Sequence, residues 1–539
     1  MTPLQTLHDA IRAAAVAVAG DAGVGLEAVK LEIPPRAELG DYSTNAPLLL
    51  APRLGRAPRE VAELLAGELA ASLGGALERS EVAGPGFLNL HLRDGWYTQA
   101  LAWVLAEGER FGSATLDQPL SVDVEFVSAN PTGPLHIGHA RQAAYGDALA
   151  RILAYRGYEV TREYYINDYG SQVIKLGESV RALANGERVP ADGYHGDYVA
   201  GLVEPVRARE LDLETLAWEA CQACLTLIRA SLERFGVSFD VWFSERSLHE
   251  AGAVERVLEM LAARGETYTA DGALWLRTSS HGDDKDRVLV RTSGEHTYFT
   301  SDIAYLENKR ERGYGRLIYV WGADHHGYIA RLKAACAALG GDPDTLELVI
   351  QQFVHLLGVE GRTAMSKREG EYVTLDELVD EVGVDAARFF LLARSHDTTV
   401  DLDLDLAVRE SAENPVYYVQ YAHARIASIL DRAGGERVAE AIASLAPVEA
   451  LHPSERALLR RLLSFDGELA DAVERRAPHR VASYALELAQ DFTAFYRDCH
   501  VLGVQPRETE SLRLALALAA RRTIARALDL LGVGAPEQM

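Results

Sequence analysis

The sequence is poor in cysteine, in long apolar runs and in basic charge near its start. Four cysteines among 539 residues cannot build a disulfide framework, which excludes the small disulfide-stapled secreted domains. No stretch of about 18 uninterrupted apolar residues occurs, the length that a membrane-spanning helix needs. The opening string MTPLQTLHDA has an early acid and no basic segment, unlike a secretory signal. The sequence therefore predicts a cytoplasmic protein without a membrane segment.

Positive charge is scarce overall. The chain has 54 Lys and Arg residues against 79 Asp and Glu residues, a formal net charge of −25. A general nucleic-acid binder is more often basic, so the balance argues against that class. Local basic clusters would still permit an RNA partner. Candidates are Asn308–Arg312, Arg362 with Lys367 and Arg368, and the arginines between 460 and 480, although each alone is more often a solvated helix face.

No internal repeat, heptad series or low-complexity tail organises the chain. A length of 539 residues predicts two to four domains with room for a proper core. Composition is that of an ordinary soluble globular protein. The last segment, from about 407 to 539, is almost entirely helical in pattern, which predicts a helix bundle.

One cysteine pair, Cys221 and Cys224, has the C-x-x-C spacing of a metal site. A zinc site needs four ligands, and no second Cys/His pair lies nearby in the sequence. The pair also falls in a helical pattern with Leu225, Ile228 and Leu232. We therefore interpret the two cysteines as small buried residues and predict no metal ligand and no structural zinc.

A strand, a tight turn and a helix are predicted in VEFVSANPTGPLHIGHARQAAYGD, residues 124–147. The apolar strand meets the turn Asn130–Pro134, and helical spacing begins at Gly138. The N–H groups and positive dipole end of such a helix form a natural phosphate site. His136 and His139 can donate hydrogen bonds there to oxygens that gain charge, and Gly138 lets a ligand come close. The alternative is a plain βα unit with two histidines in a polar turn.

Acidic side chains mark a second predicted pocket. Glu125, Ser128 and Asn130 are spaced so that a strand end and its turn present a carboxylate, a hydroxyl and an amide together. A carboxylate in a closed pocket needs a cation, and a planar guanidinium satisfies it best. The alternative is a salt bridge inside the protein. Tyr298 and Asp302 lie one turn apart if a helix begins at that point, unless they are a buried tyrosine and a helix cap.

These strings resemble one enzyme family. HIGH after Asn-Pro-Thr-Gly-Pro is similar to the first ATP-binding motif of class I aminoacyl-tRNA synthetases, and EFVSANPTGPLHIGH looks specifically like arginyl-tRNA synthetase. Further strings match in the same order along the chain: GDYSTN at 40–45, GPGFLN at 84–89, REYYINDYG at 162–170, MSKR at 365–368 and NPVYYVQYAHAR at 414–425. The resemblance therefore covers essentially the whole chain.

The resemblance implies an α/β fold with three domains. Residues 1–110 would form an N-terminal α+β additional domain that leans on the outer corner of tRNA. Residues 111–406 would form a Rossmann-like class I catalytic domain with a helical insertion at about 170–236. Residues 407–539 would form an all-α anticodon-binding domain. After Phe239, residue patterning predicts a run of alternating strands.

The resemblance also implies an ATP site. His136, His139 and Lys367 would be catalytic, with the Lys367 ammonium neutralising the triphosphate as pyrophosphate leaves. Ala364 and Arg368 depart from the general KMSKS pattern, and the missing first lysine is frequent in the arginyl family. The predicted ATP-binding residues are Pro131, Thr132, Gly133, His136, Gly138, His139, Asp324, Met365, Ser366, Lys367 and Arg368.

Arginine and tRNA contacts follow from the same resemblance. A pocket with two acids, Glu125 and Asp302, would reject uncharged side chains, and the point charge of lysine would not bridge both. The predicted arginine-binding residues are Glu125, Ser128, Asn130, Tyr298, Asp302 and His325. The predicted tRNA-binding residues are Phe87, Asn89, Tyr417, Tyr418 and Tyr421. A tyrosine stripe at helical spacing is otherwise more often core, and the strings around Phe87 are otherwise simple turns.

The resulting hypothesis is an ATP- and Mg²⁺-dependent ligase that joins L-arginine to tRNA through arginyl-adenylate, acting as a monomer. Two alternatives stay open. One is another HIGH-type enzyme, such as a cysteinyl-tRNA synthetase, which would want a zinc-type ligand set, or a small-molecule nucleotidyl ligase, which would lack the helical C-terminal domain. The other is a non-catalytic tRNA-binding or amino-acid-sensing relative, which the presence of His136, His139 and Lys367 disfavours.

Overall fold

The computed structural model describes residues 1–20, 26–357, 373–448 and 450–539, without the side chains at 26, 37 and 324–326. No helix in these ranges is both long enough and apolar enough to cross a membrane. The described part of the first 110 residues contains four α-helices and four strands. The helices are α1 (Pro3–Ala19), α2 (Ala46–Leu54), α3 (Pro58–Leu73) and α4 (Asp94–Glu107), and the strands are β1 (Leu31–Glu32), β2 (Tyr42–Thr44), β3 (Leu77–Ala83) and β4 (Phe87–Leu92).

The N-terminal strands form an antiparallel sheet in the order β1-β2-β4-β3. The strand predicted from Phe87 to Leu92 is its central β4, which pairs Asn89 with Ser43 on one side and with Glu81 on the other. Helices α2 and α3 pack on the sheet and α1 packs on these helices, with apolar side chains such as Leu7, Ile11 and Leu65 buried. This arrangement confirms the predicted α+β N-terminal part.

The middle of the chain is built on a five-stranded parallel sheet. Its order is β12-β11-β5-β6-β7, with every neighbouring pair parallel. Parallel strands need crossover connections, which place helices on the two faces of the sheet. The sheet confirms the predicted Rossmann-like fold. Its strands are β5 (Ser121–Phe126), β6 (Glu159–Ile166), β7 (Val241–Ser244), β11 (Arg316–Gly322) and β12 (Leu346–Gln351).

Smaller elements complete this part of the chain. An antiparallel sheet in the order β10-β9-β8 and a parallel pair β13-β14 lie beside the main sheet. These strands are β8 (Thr267–Ala270), β9 (Ala273–Leu276), β10 (Arg287–Val290), β13 (Val354–Leu357) and β14 (Val400–Asp403). The helices are α5 (Ile137–Tyr155), α6 (Ser171–Ala184), α7 (Asp197–Leu202), α8 (Leu213–Arg234), α9 (Glu245–Glu250), α10 (Ala253–Ala263), α11 (Tyr298–Glu311), α12 (Ile329–Ala338), α13 (Leu375–Val382), α14 (Val384–Leu392) and α15 (Leu404–Ala407).

Two sequence-based predictions concern these helices and strands. The predicted helical insertion corresponds to α6, α7 and α8, and Cys221 and Cys224 are buried on α8, as interpreted. The run of strands expected after Phe239 is confirmed for β7, β8, β9 and β10, but its continuity is wrong, because α9 and α10 intervene between β7 and β8. The reason is visible in α10, where Val254, Val257 and Leu261 are buried at helical spacing.

The C-terminal part is all-helical, as predicted. Its helices are α16 (Pro415–Ala433), α17 (Gly435–Ala443), α18 (Pro453–Leu463), α19 (Phe465–Glu474), α20 (His479–Asp498) and α21 (Arg507–Leu531). Hydrogen bonds from two arginines tie this bundle to the rest of the chain. Arg456 on α18 bonds Asp41 at 3.1 Å in the N-terminal part, and Arg388 on α14 bonds Asp147 on α5 at 2.6 Å and the carbonyl of Leu531 at 2.9 Å.

Helix α5 packs on the sheet so closely that Gly146 has no room for a side chain. A Cβ added to Gly146 would lie 2.1 Å from Cγ of Phe126 on β5. We predict that Gly146→Ala destabilises the protein by about 1–3 kcal/mol, because overpacking forces buried atoms apart. Urea unfolding followed by circular dichroism measures the change.

The matched control is Gly67→Ala. Gly67 also lies inside a helix, α3, but a Cβ there would meet nothing within 4 Å. It should leave stability unchanged or raise it by up to about 1 kcal/mol. Equal effects of the two substitutions would show that the contact between α5 and β5 is not tight.

Candidate active site

A cavity of about 790 Å³ opens at the carboxyl ends of β5, β6, β11 and β12. Open α/β sheets bind ligands at this edge. Three groups of side chains converge on it: the start of α5, the end of β5 with its turn, and the first turn of α11. The predicted residues that line it are Glu125, Ser128, Asn130, His136, Gly138, His139, Tyr298 and Asp302.

The start of α5 holds the two histidines in a fixed arrangement. The backbone N–H of Gly138 donates to Nδ1 of His136 at 3.1 Å, and the N–H of His136 donates to Nδ1 of His139 at 3.3 Å. The two rings stack with centroids 3.7 Å apart. Because each Nδ1 is an acceptor, each neutral ring carries its proton on Nε2. The pair therefore offers two N–H donors at the positive end of the helix.

Burial keeps these rings uncharged. Burial lowers the pKa of His136, and burial together with the charge of His136 lowers the pKa of His139 to about 3. Both rings are thus neutral near pH 7 and act as hydrogen-bond donors, not as cations. The absent side chain of Gly138 also serves this pair, since a Cβ there would lie 2.9 Å from Cε1 of His136.

The turn after β5 is strained. Val127 and Ser128 have φ angles of 67° and 40°, a region that residues with a Cβ rarely adopt and that is especially unfavourable for β-branched valine. The strain turns Ser128 inward, where its hydroxyl donates to Oε1 of Glu125 at 3.2 Å and accepts from the N–H of Tyr165 at 3.1 Å. Farther along the turn, the Asn130 amide donates to Gln172 at 3.0 Å.

Glu125 faces the cavity and is also paired inside the protein. Its Oε2 accepts from Nζ of Lys309 at 2.7 Å and lies 3.0 Å from the Tyr305 hydroxyl. Both sequence-based interpretations of Glu125, pocket residue and internal salt bridge, therefore describe its position. Lys309 itself was expected in a basic surface patch, Asn308–Arg312, and that expectation is wrong. Its side chain is fully buried, since α11 turns it toward the sheet.

Helix α11 begins at Tyr298, as the sequence predicted. Tyr298 and Asp302 are one turn apart and both line the cavity. Tyr298 is 58% exposed and stands at the rim, whereas Asp302 accepts a hydrogen bond from the hydroxyl of Tyr328. Asp302 thus supplies a second carboxylate to the half of the cavity that Glu125 faces.

Some predicted ATP-binding residues do not line the cavity, and others lie outside the described residues. Pro131, Thr132 and Gly133 are not among the residues that line the described cavity, and the carbonyl of Thr132 accepts from the Tyr198 hydroxyl of the insertion at 2.8 Å. Asp324 and His325 fall in the 3-10 turn Ala323–Tyr328 that follows β11. The remaining predicted residues, Met365, Ser366, Lys367 and Arg368, lie outside the described residues.

Gln351 is a cavity residue that sequence patterning missed. It ends β12, is 3% exposed, and neither atom of its amide has a hydrogen-bond partner among the described residues. A buried amide without partners is costly unless a ligand or water bonds it. Its neighbour Gln352 also lines the cavity but is less buried, and nothing in the local sequence VIQQFV marks either residue as part of a site.

The predicted tRNA-binding residues are not among the described residues that line this cavity. In the N-terminal part Phe87 is 36% exposed, but Asn89 is only 4% exposed on β4, so the described surface offers the ring of Phe87 and not the amide of Asn89. On α16, Tyr418 packs against the core. Tyr417 and Tyr421 stack with centroids 6.1 Å apart.

Two further residues join this exposed tyrosine stack. The Arg425 guanidinium lies over the rings of Tyr421 and Tyr496, 5.2 and 5.4 Å from their centroids. Exposed aromatic rings with an adjacent arginine form a surface on which unpaired bases can stack. Tyr496 belongs to α20, so its proximity to α16 could be found only from the packing of the bundle.

Comparison with known proteins gives matches along the whole chain. Family models match as follows: "Arginyl tRNA synthetase N terminal domain" at residues 5–92, "tRNA synthetases class I (R), catalytic domain" at 100–185 and 212–428, and "DALR anticodon binding domain" at 419–539. An arginine–tRNA ligase of Frankia alni is 47% identical over 554 aligned positions, covering all of both chains.

Two other matches agree with these. An arginine–tRNA ligase of Carboxydothermus hydrogenoformans is 45% identical over 95% of this chain and 94% of its own. The solved arginyl-tRNA synthetase of Thermus thermophilus superimposes with a TM-score of 0.78 at 26% identity, covering 99% of this chain and 100% of its own.

The histidine pair allows a direct test of the site's electrostatics. We predict that the His139 ring stays neutral down to about pH 5 in the folded protein, because burial disfavours its charged form. A pH titration of ¹⁵N-labelled histidine by NMR, with His139→Gln to assign the signal, measures this. The urea-unfolded chain is the control and should titrate near the ordinary value of about 6.5. A midpoint near 6.5 in the folded protein would contradict the prediction.

Proposed function

The chain belongs to the arginyl-tRNA synthetase family, and on that premise we propose how its residues divide the work of the reaction. As a class I synthetase it ligates arginine to tRNA at the expense of ATP. The assignments of residues below, the use of Mg²⁺, the action as a monomer and the cytoplasmic location are our proposals.

The proposed reaction has two displacements. A carboxylate oxygen of arginine attacks the α-phosphorus of MgATP, the bond to the pyrophosphate oxygen breaks, and arginyl-adenylate forms. A hydroxyl of the 3′-terminal ribose of tRNA then attacks the arginyl carbonyl carbon, and AMP leaves with the electron pair of the broken bond. Positioning and charge stabilisation are sufficient for such transfers, so no protein nucleophile is required.

The ATP half of the cavity is proposed to lie between α5 and β12. The Nε2–H groups of His136 and His139 would donate to phosphate oxygens, with the positive end of α5 behind them. The amide of Gln351, which has no hydrogen-bond partner among the described residues, has the donor and acceptor that match an edge of adenine. Lys367 would neutralise the departing pyrophosphate. Asp324, Met365, Ser366 and Arg368 are proposed nucleotide contacts, as are Pro131, Thr132 and Gly133.

The arginine half of the cavity is proposed to lie between β5 and α11. The guanidinium would be held between the carboxylates of Glu125 and Asp302, with Ser128, Asn130 and His325 around it and Tyr298 at the rim. The arginine half is the main support for the proposed function, because Glu125 and Asp302 line the same cavity as the histidine pair. Two carboxylates on opposite sides favour a flat cation with several N–H donors over the point charge of lysine.

Contacts with tRNA are proposed on two exposed aromatic surfaces. Phe87 would meet the outer corner of the tRNA, and Asn89 would contribute only if β4 became accessible. Tyr417, Tyr418 and Tyr421 would lie at the anticodon, where the ring of Tyr421, 41% exposed beside Arg425, is the best placed of the three to stack on a base.

Charging of total tRNA with each of the twenty amino acids, in the presence of MgATP, tests the function. We expect arginine alone to be esterified, because lysine and uncharged side chains cannot satisfy both carboxylates. Acid-gel separation of charged from uncharged tRNA measures the product. If the protein bound tRNA but esterified none of the twenty amino acids to it, the protein would be a non-catalytic relative.

Two substitutions separate the halves of the site. Glu125→Gln should raise the KM for arginine about tenfold or more, because a charge-assisted hydrogen bond is lost, with little change in the KM for ATP. Lys367→Ala should lower kcat for adenylate formation about a hundredfold, because it removes the positive charge that stabilises the departing pyrophosphate. Both are measured by tRNA-dependent pyrophosphate exchange. If both substitutions raised the same KM, the division of the cavity would be wrong.

A further inference from the structure

A group of charges beneath the arginine half of the cavity contains, besides Glu125, four residues that the proposed reaction does not use. Nζ of Lys309 bonds Oδ2 of Asp123 at 2.6 Å and Oε2 of Glu125 at 2.7 Å, and lies 3.8 Å from Glu163. Arg312 bonds Glu163 at 2.9 Å. We call these five residues the Lys309 cluster.

Only one member of the Lys309 cluster reaches the cavity. Glu125 lines it, whereas Asp123, Glu163, Lys309 and Arg312 do not. Three carboxylates face two cations, so the cluster holds one net negative charge when all five groups are ionised. Glu125 is the only one of the five residues that lines the cavity. The net negative charge of the cluster therefore faces the cavity through the Glu125 carboxylate.

Lys309 also decides how Glu125 points. The ammonium of Lys309 binds Oε2 of Glu125 on the side away from the cavity. The Tyr305 hydroxyl lies between this oxygen, at 3.0 Å, and the carboxylate of Glu163, and contacts both. The other oxygen, Oε1, is left toward the cavity with Ser128 as its neighbour. Glu125 therefore presents one oxygen of known orientation to a ligand, and this orientation is set from below by Lys309.

We propose that Lys309 is a positioning residue for arginine recognition, which holds Oε2 of Glu125 and so turns its Oε1 toward the guanidinium. The inference rests on the proposed role of Glu125. Lys309 touches no substrate in this proposal. Its effect is confined to the arginine half of the cavity, since no member of the cluster contacts the histidine pair or Gln351 in the described structure.

The charge states of the cluster are consistent with this role. Burial alone would lower the pKa of Lys309, but the charges of Asp123 and Glu125 raise it well above its usual value. Burial raises the pKa of Asp123 to about 6 in spite of the lysine. Without Lys309, the buried carboxylates would have to take up protons near neutral pH, because an unpaired buried charge is costly.

A pH dependence should then appear when Lys309 is removed. The titratable and charged groups around Glu125 are Asp123 on β5, Glu163 and Tyr165 on β6, Tyr305 and Lys309 on α11, and Tyr319 on β11, while Asp302 lines the same cavity and Arg312 bonds Glu163. After loss of the ammonium the remaining cation, Arg312, is engaged by Glu163. Protonation of the unpaired carboxylates would then weaken the attraction of the cavity for the substrate cation.

The experiment measures the KM for arginine and for ATP of the full-length enzyme from pH 6 to 9 by tRNA charging. Lys309→Met should raise the KM for arginine about tenfold or more at pH 7, with recovery at high pH and an ATP KM changed less than about twofold. Lys309→Arg, which keeps the charge, should recover much of the affinity. An unchanged arginine KM, or equal rises of both KM values, would overturn the proposal.

The control is Lys175→Met. Lys175 makes an ion pair of the same 2.7 Å length with Asp192, but at the exposed surface, so its loss should change neither KM. Should Lys309→Met fail to fold, the double variant Lys309→Met/Asp123→Asn restores the net charge of the cluster. We expect its arginine KM to stay raised, and a wild-type KM would show that charge balance alone matters.

Failure of this inference can be told from failure of the proposed function. If Glu125 does not bind arginine, Glu125→Gln has a normal arginine KM, and the proposed site falls with the inference. If Glu125→Gln is impaired while Lys309→Met is normal, the proposed site stands and only the positioning role is wrong.

Discussion

Three carboxylates buried under α11 set the geometry of the catalytic part of the chain. Glu125 and Glu163 are direct neighbours across β5 and β6, and Asp123 lies two residues earlier on β5. Uncompensated, these charges would be prohibitively costly between sheet and helix. Helix α11 must therefore lie where Lys309 and Arg312 reach them. Since Tyr298 and Asp302 begin the same helix, this electrostatic requirement also fixes one wall of the cavity.

The cavity that results has two halves of opposite character. At the start of α5 the groups are a neutral histidine pair and backbone N–H groups at a positive helix end, which suit phosphate oxygens. Between β5 and α11 the groups are carboxylates, which suit a cation. A substrate with a cationic side chain and a carboxylate can satisfy the acidic half only if its own carboxylate points toward the phosphate half. Under the proposed assignment of the two halves, this charge pattern aligns the two reacting groups before any chemistry occurs.

Much of this site could be predicted from sequence, and the remainder depends on packing. Local spacing was enough for the strand, turn and helix around His136 and for Tyr298 and Asp302 on one helix face, because periodicity within an element decides those positions. The burial of Lys309 could not be predicted, since a lysine in a basic run becomes a core residue only when distant strands bring acids to it. The strained φ of Val127 and the inward side of Gln351 have the same cause, contacts with strands far away in the sequence.

Helix α5 connects this site to the C-terminal bundle. It begins with the histidine pair and, farther along, pairs Asp147 with Arg388 at 2.6 Å and Arg156 with Asp466 at 2.5 Å, while the Tyr145 hydroxyl donates to the carbonyl of Arg476. The Asp147–Arg388 pair is fully buried, so separating it would strand a charge in the core. A reorientation of the bundle must either carry α5 with it or break its bonds with Asp466 and Arg476, together with the bond from Arg388 to the carbonyl of Leu531. Since the histidine pair begins α5, these contacts join the cavity to the bundle that carries the tyrosine surface.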